Sequence, residues 1–198
     1  MAFSDFTLQL VVDRFGVVAR PGPIFAAVTP VPVPDWLHNL LGRTLQLPLV
    51  SEKARSELIV MPILLACREL SGNTVAIFSG SRLDVSADQG LTGECDFLLA
   101  RTPPVPEVRA PLVAIVAAKK NDVESGLGQC VAQMIAARIL NERTGVNIPI
   151  IYGCVTTGEV WQFLRLEGSD VVIDDRRYYL DNVAAVLGVF RAIVGTGP

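Results

Sequence analysis

Apolar and polar positions change period several times along the chain, and each change marks an expected element. Phe6 to Val12 alternates weakly, with Phe6, Leu8 and Leu10 set against Thr7 and Gln9, and reads as a strand. Prolines at 21, 23, 30, 32 and 34 then predict an extended, irregular connection. Asp35 is expected to cap a short helix ending near Gly42. Ser51 to Leu70 reads as the first long helix. Ser51 suits the N-cap, Glu52 complements the positive helix end, and Gly72-Asn73 stops the run. Inside it, Pro62 removes the hydrogen bond to the Leu58 carbonyl and predicts a kink.

Strand-like runs follow at Thr74 to Phe78, Arg82 to Val85, Glu94 to Ala100 and Pro111 to Ala118. Ser79-Gly80, Asp88-Gln89-Gly90 and Thr102-Pro103-Pro104 separate them as turns, which implies antiparallel pairing. The period then becomes helical over Glu124 to Glu142, carried by Leu127, Val131, Met134, Ile135 and Ile139. Ile148 to Val155 is almost wholly apolar, as a strand covered on both faces would be. Strand, helix and strand here form a βαβ unit with parallel strands and a right-handed crossover. Thr156-Thr157-Gly158 turns the chain into Val160 to Leu166, Val171 to Asp174 is placed to pair with that strand, and Leu180 to Val194 closes as an amphipathic helix. The expected architecture is α/β: a mixed β-sheet core with an antiparallel half and a βαβ half, flanked by helices. One domain over 1–198 is expected, with 51–198 as its core and 1–50 as an N-terminal extension.

Composition sharpens this picture in three ways. At 51% hydrophobic and 19% charged, the 198 residues supply a sizeable core and exclude a disordered chain. A net charge of −3 gives no long-range field for DNA or an anionic membrane, which counts against a stand-alone nucleic-acid reader. Cys67, Cys95, Cys130 and Cys154 lie far apart in apolar stretches and read as buried reduced thiols, and His38 is the single histidine. No secretory leader and no apolar run of about 18 residues is present, so a cytoplasmic protein that does not span a membrane is expected.

Candidate chemistry gathers at two strand ends. Strand alternation puts Glu94 and Asp96 on one face, and Ala117 and Lys119 on one face of the next strand. Asp96, between Cys95 and Phe97, needs a partner if buried, and Lys119 or a metal ion would supply one. Lys120, Asn121 and Asp122 read as a solvated loop. Gly126-Leu127-Gly128 lacks the third glycine of a dinucleotide fingerprint, since Val131 stands there. Nothing near Cys154 in sequence would activate it as a nucleophile.

Taken in order, Ser51-Glu52-Lys53-Ala54-Arg55-Ser56-Glu57, Gly93-Glu94-Cys95-Asp96-Phe97, Val116-Ala117-Ala118-Lys119, Gly126-Leu127-Gly128-Gln129-Cys130 and Tyr152-Gly153-Cys154-Val155-Thr156-Thr157-Gly158 resemble the PD-(D/E)XK, restriction-endonuclease-like superfamily. The resemblance runs from about Ser51 to the C-terminus. It implies phosphodiester hydrolysis of DNA or RNA with Mg²⁺ or Mn²⁺, the metal held by acids on adjacent strands. Carried over position by position, Asp96 is a metal ligand, Glu57 is the helix glutamate that completes the shell, Lys119 orients the attacking water or balances developing charge, and Gln129 or Gln133 is the glutamine near the site. The departure is at 117, where the second acid is expected and alanine stands.

A methyl group cannot ligate a metal, so activity is expected to be weak or absent. Three accounts of the alanine are open: an inactivating substitution, a naturally non-catalytic relative, or another acid standing in, with Glu94 the best placed. Plainer roles compete with the catalytic ones. In these, Asp96 simply pairs with Lys119 or a backbone donor, Glu57 with Lys53 one helical turn away, and the glutamines with backbone groups. The alternative function class is a non-enzymatic scaffold or adaptor, with dimer formation accounting for the apolar excess.

Overall fold

Two long apolar runs without a charge, at 112–118 and 150–156, dictate the centre of the fold, because only strands covered on both faces can be so uniformly apolar. The computed structural model describes residues 1–195. In chain order it contains α1 (Leu8–Phe15), β1 (Val18–Gly22), α2 (Asp35–Thr44), α3 (Glu52–Arg55), a π-helical turn (Ser56–Val60), α4 (Met61–Leu70), β2 (Ala76–Arg82), β3 (Glu94–Ala100), β4 (Leu112–Ala118), α5 (Glu124–Arg143), β5 (Ile150–Thr156), β6 (Val160–Glu167), β7 (Asp170–Tyr179) and α6 (Val183–Gly195). The strands form one seven-stranded mixed sheet in the order β1-β7-β6-β5-β4-β3-β2.

Pairing follows connection length. The strands β2, β3 and β4 are antiparallel neighbours, as are β5, β6 and β7. The α5 crossover makes β4 and β5 parallel, in the register Val116 to Cys154. One face carries α1 and α5 over Leu98, Ile115, Ala117 and Val155. The other carries α4 and α6 over Leu99, Val116, Trp161 and Phe163. Every residue of β4 is buried.

Several expectations are corrected. The stretch expected to be a strand over Phe6 to Val12 is the helix α1. Thr7 Oγ1 accepts from the Leu10 N–H at 3.2 Å, and Gly16, at φ 64°, closes the C-terminus. Two good caps outweigh a short, weak alternation. Residues 18–22, assigned to no element, form β1 in parallel with β7; Pro21 is tolerated because the strand lies at the sheet edge. The expected turn at Ser79-Gly80 lies inside β2, which runs through Gly80 at φ 58° and ends at Arg82, so no separate strand forms over 83–85. The reversal lies in 83–93, where Leu83 N–H donates to the Gly93 carbonyl. Pro34, not Asp35, precedes α2, and that helix continues past Gly42 to Thr44.

Ser51 caps its helix as expected, accepting from the Ala54 N–H at 3.0 Å. Pro62 is accommodated by the wide π turn just ahead of it, which leaves the proline in the first turn of α4, where a missing N–H matters least. The first 50 residues are woven into both layers. Phe6 and Val11 join the α5 side, while Phe25, Leu37 and Leu41 join the α6 side. Closest approach occurs at Gly128, where an added Cβ would lie 2.3 Å from the Thr7 carbonyl carbon. The domain expected over 1–198 extends three residues past those described.

One buried side chain ties the end of α5 to the start of β4. Asn141 accepts from the Leu112 N–H and donates to the Leu112 carbonyl, both at 2.8 Å. It thereby completes the hydrogen bonding of a wholly buried strand start. Asn141→Leu leaves both Leu112 groups without partners. It is expected to lower stability by about 3 kcal/mol in urea denaturation, with an unchanged denaturant slope.

Candidate functional site

The site is built where β3 and β4 part. Their ladder pairs Phe97 with Val116, and the same register carried one step further sets Asp96 opposite Ala117. Here the backbone pattern gives way. Ala118 N–H donates to Asp96 Oδ2 at 2.9 Å, and Lys119 N–H turns to the Thr156 carbonyl of β5 at 2.7 Å. A carboxylate thus holds a strand amide at the point of divergence.

Lys119 follows directly on buried β4, and its side chain runs along α5. Its Nζ donates to Gln129 Oε1 at 2.8 Å. Gly126 makes room for the lysine stem: a Cβ there would come within 3.0 Å of Lys119 Cγ and 2.5 Å of Val155 Cγ1. The two glycines of Gly126-Leu127-Gly128 therefore serve close packing, one under Lys119 and the other under the N-terminal segment. One turn further along α5, Gln133 is wholly buried and its Nε2 reaches the Glu94 carbonyl at 3.4 Å. Gln133 Oε1 has no hydrogen-bond partner among the described residues.

Electrostatics at Asp96 run against its charge. Burial is the main cause and pushes its carboxyl above the ordinary value; Glu52 and Glu94 add to this, while the Ala118 amide and Lys119 oppose it. Lys119 acts on Asp96 through space while its Nζ donates to Gln129. Of the partners open to Asp96 in the sequence, the structure shows a backbone donor, the Ala118 amide, while the Lys119 ammonium donates to Gln129.

The helix acid is not the expected one. Glu57 is exposed and faces Lys53 at 3.8 Å, one turn away, so it does not join Asp96. Glu52, in the first turn of α3, is the acid of that helix whose charge reaches Asp96. Sequence reading gave Glu52 only a helix-end role. It also passed over Arg55, which donates to the Thr157 carbonyl at 3.0 Å and to Glu159 at 2.9 Å and ties α3 to the β5–β6 turn. Glu94 stands exposed at the start of β3. Ala117 is wholly buried in the α5-side core.

These residues do not make a divalent-cation site. Asp96 has one oxygen engaged by an amide, Ala117 offers a methyl group, and Glu57 is turned away. The described residues contain no group of three or more His, Cys, Asp or Glu placed to hold a metal ion. Mg²⁺ demands a near-octahedral oxygen shell, which this donor set does not supply. All four cysteines are free and buried. Burial pushes the Cys130 thiol up to about 12 and raises Cys67, Cys95 and Cys154 as well, so none is poised as a nucleophile. No described helix is long and apolar enough to cross a membrane.

The raised Asp96 carboxyl has a pH consequence. With its folded value above the unfolded one, the native state holds this proton more tightly, so the residue's contribution falls as pH rises through the carboxylate range. Asp96→Asn keeps an oxygen for the Ala118 amide and removes the ionisation. The urea midpoint of the variant relative to the parent chain is expected to climb between pH 4 and pH 7; a difference that falls over this range would show that the carboxylate is stabilised in place.

No protein-family model matches the chain, and no curated protein matches it.

Proposed function

We propose that this chain is a restriction-endonuclease-like protein of the PD-(D/E)XK type whose hydrolytic site is silenced at Ala117. The observation that carries the reading is the convergence of Asp96, Lys119 and Gln129 at the parted ends of β3 and β4, with a methyl group opposite the carboxylate. The order of elements supports it: a helix, three antiparallel strands, a crossover helix and a strand parallel to the third. The protein would engage DNA or RNA weakly or through a partner, since its net charge of −3 supplies no general attraction. Cleavage is expected to be absent, or residual where Glu52 or Glu94 substitutes for the missing acid.

The decisive variant is Ala117→Glu, which sets a second carboxylate beside Asp96. It is expected to bind Mn²⁺ where the parent chain does not, and to gain roughly a hundredfold or more in Mn²⁺- or Mg²⁺-dependent cleavage of a mixed panel of DNA and RNA. A folded variant that neither takes up Mn²⁺ nor cuts any member of the panel removes the nuclease reading.

A scaffold or adaptor role is the second reading. Leu40 on α2, Leu45, Leu47 and Val50 after it, and Leu65 on α4 are large apolar side chains left exposed. Light scattering after size exclusion is expected to show a dimer that Leu47→Asp and Val50→Asp together convert to a monomer. A parent chain that runs as a strict monomer, with no change in the variant, speaks against it.

A further inference from the structure

Glycine inside a helix weakens it, so a mid-helix glycine calls for a neighbour that needs the space. In α5 and α6 the neighbours are visible. An added Cβ at Gly126, Gly128 or Gly188 would lie 2.5, 2.3 or 2.4 Å from another segment of the chain. Gly42 stands inside α2 in the same way, yet nothing lies within 4 Å of its added Cβ. The helix is fixed from behind, where Leu37, Leu41 and Thr44 are buried and Trp36 Nε1 donates to Glu69 Oε2 at 2.9 Å. The open space is therefore on its solvent side.

That side carries a matched pattern of charge. Asp35, Asn39 and Arg43 are exposed and recur at every fourth position, so they form one ridge, which Gly42 borders. Trp36, Asn39, Leu40 and Arg43 line a groove of about 340 Å³ along it. Asp35 and Arg43 enter no ion pair among the described residues. The helix dipole accounts for an acid at the start and a base at the end, but not for the glycine. Asn39 lies one turn from both charges. A second copy of α2, laid antiparallel about a two-fold axis at Asn39, sets Asp35 of each copy opposite Arg43 of the other. A parallel arrangement would set like charges together.

We propose that a second copy of this chain docks on α2, the two helices antiparallel across Asn39, with Gly42 admitting the partner and two Asp35–Arg43 pairs fixing the register. A stable dimer buries about 800 Å² per partner, more than a ten-residue helix offers. The exposed Leu45, Leu47 and Val50 extend the contact just past the helix end. The inference rests on the dimer of the scaffold reading, to which it gives an axis and a register, and is independent of any chemistry at Asp96.

Sedimentation velocity from about 1 to 100 μM is the test, with circular dichroism to check the fold of each variant. The parent chain is expected to dimerise. Gly42→Leu, a better helix former, is expected to keep the fold and weaken the dimer about tenfold or more. Asp35→Arg and Arg43→Asp are each expected to weaken it about tenfold or more, because like charges then face each other on both sides of the axis. Mixed in equal amounts, these two variants restore opposite charges at every facing position and are expected to regain the parent affinity within about threefold. A mixture no tighter than the separate variants, or Gly42→Leu dimerising as the parent does, overturns the proposal. A dimer split by Leu47→Asp with Val50→Asp but unmoved by the charge variants removes this pairing and leaves the scaffold reading standing. A parent chain that stays monomeric throughout removes both.

Discussion

A strand covered on both faces has no room for charge along its length, and the rest of this molecule follows from that constraint. Each side chain of β4 from Leu112 to Ala118 is buried, so polar chemistry is displaced to its two ends. At one end stand Asp96, Lys119 and Gln129; at the other, Asn141. The helices divide accordingly. The α5 layer supplies the polar partners at the Asp96 end, through Gln129 and Gln133, and α6 closes the opposite end through Ile193. Asn141 belongs to the same logic, because a buried strand start needs its backbone groups satisfied from somewhere.

The Asp96 end is held together by hydrogen bonds that a purely structural solution would not require. A backbone acceptor would serve Ala118 without burying a carboxyl group among Glu52, Glu94 and apolar neighbours. Opposite that carboxylate, the methyl group of Ala117 sits wholly within the α5-side core.

Much of the frame was legible in the sequence because its signals are local. The apolar runs bounded by glycine and proline gave β3, β4, β5 and β6 nearly to the residue, and strand alternation set Asp96 and Lys119 at adjacent strand ends. Where two local signals compete, the reading fails. Phe6 to Val12 alternates weakly, yet Thr7 and Gly16 cap a helix there. Pro21 and Arg20 disguise an edge strand whose only sheet partner, β7, lies some 150 residues away. Glu57 lies on the exposed face beside Lys53, the plainer of the two roles its spacing allowed.

Gly128 carries a consequence for how the protein tolerates alteration. Backbone of residues 6–8 lies against α5 so closely that no other residue type fits beneath it. The amino-terminal segment is therefore a fitted lid on the crossover helix, with Phe6 and Val11 plugging the hydrophobic layer below. Trimming the first sixteen residues would uncover a greasy trough along α5 and turn a folded chain into a sticky one, whereas an appended tag ahead of Met1, which is exposed, leaves that seam closed.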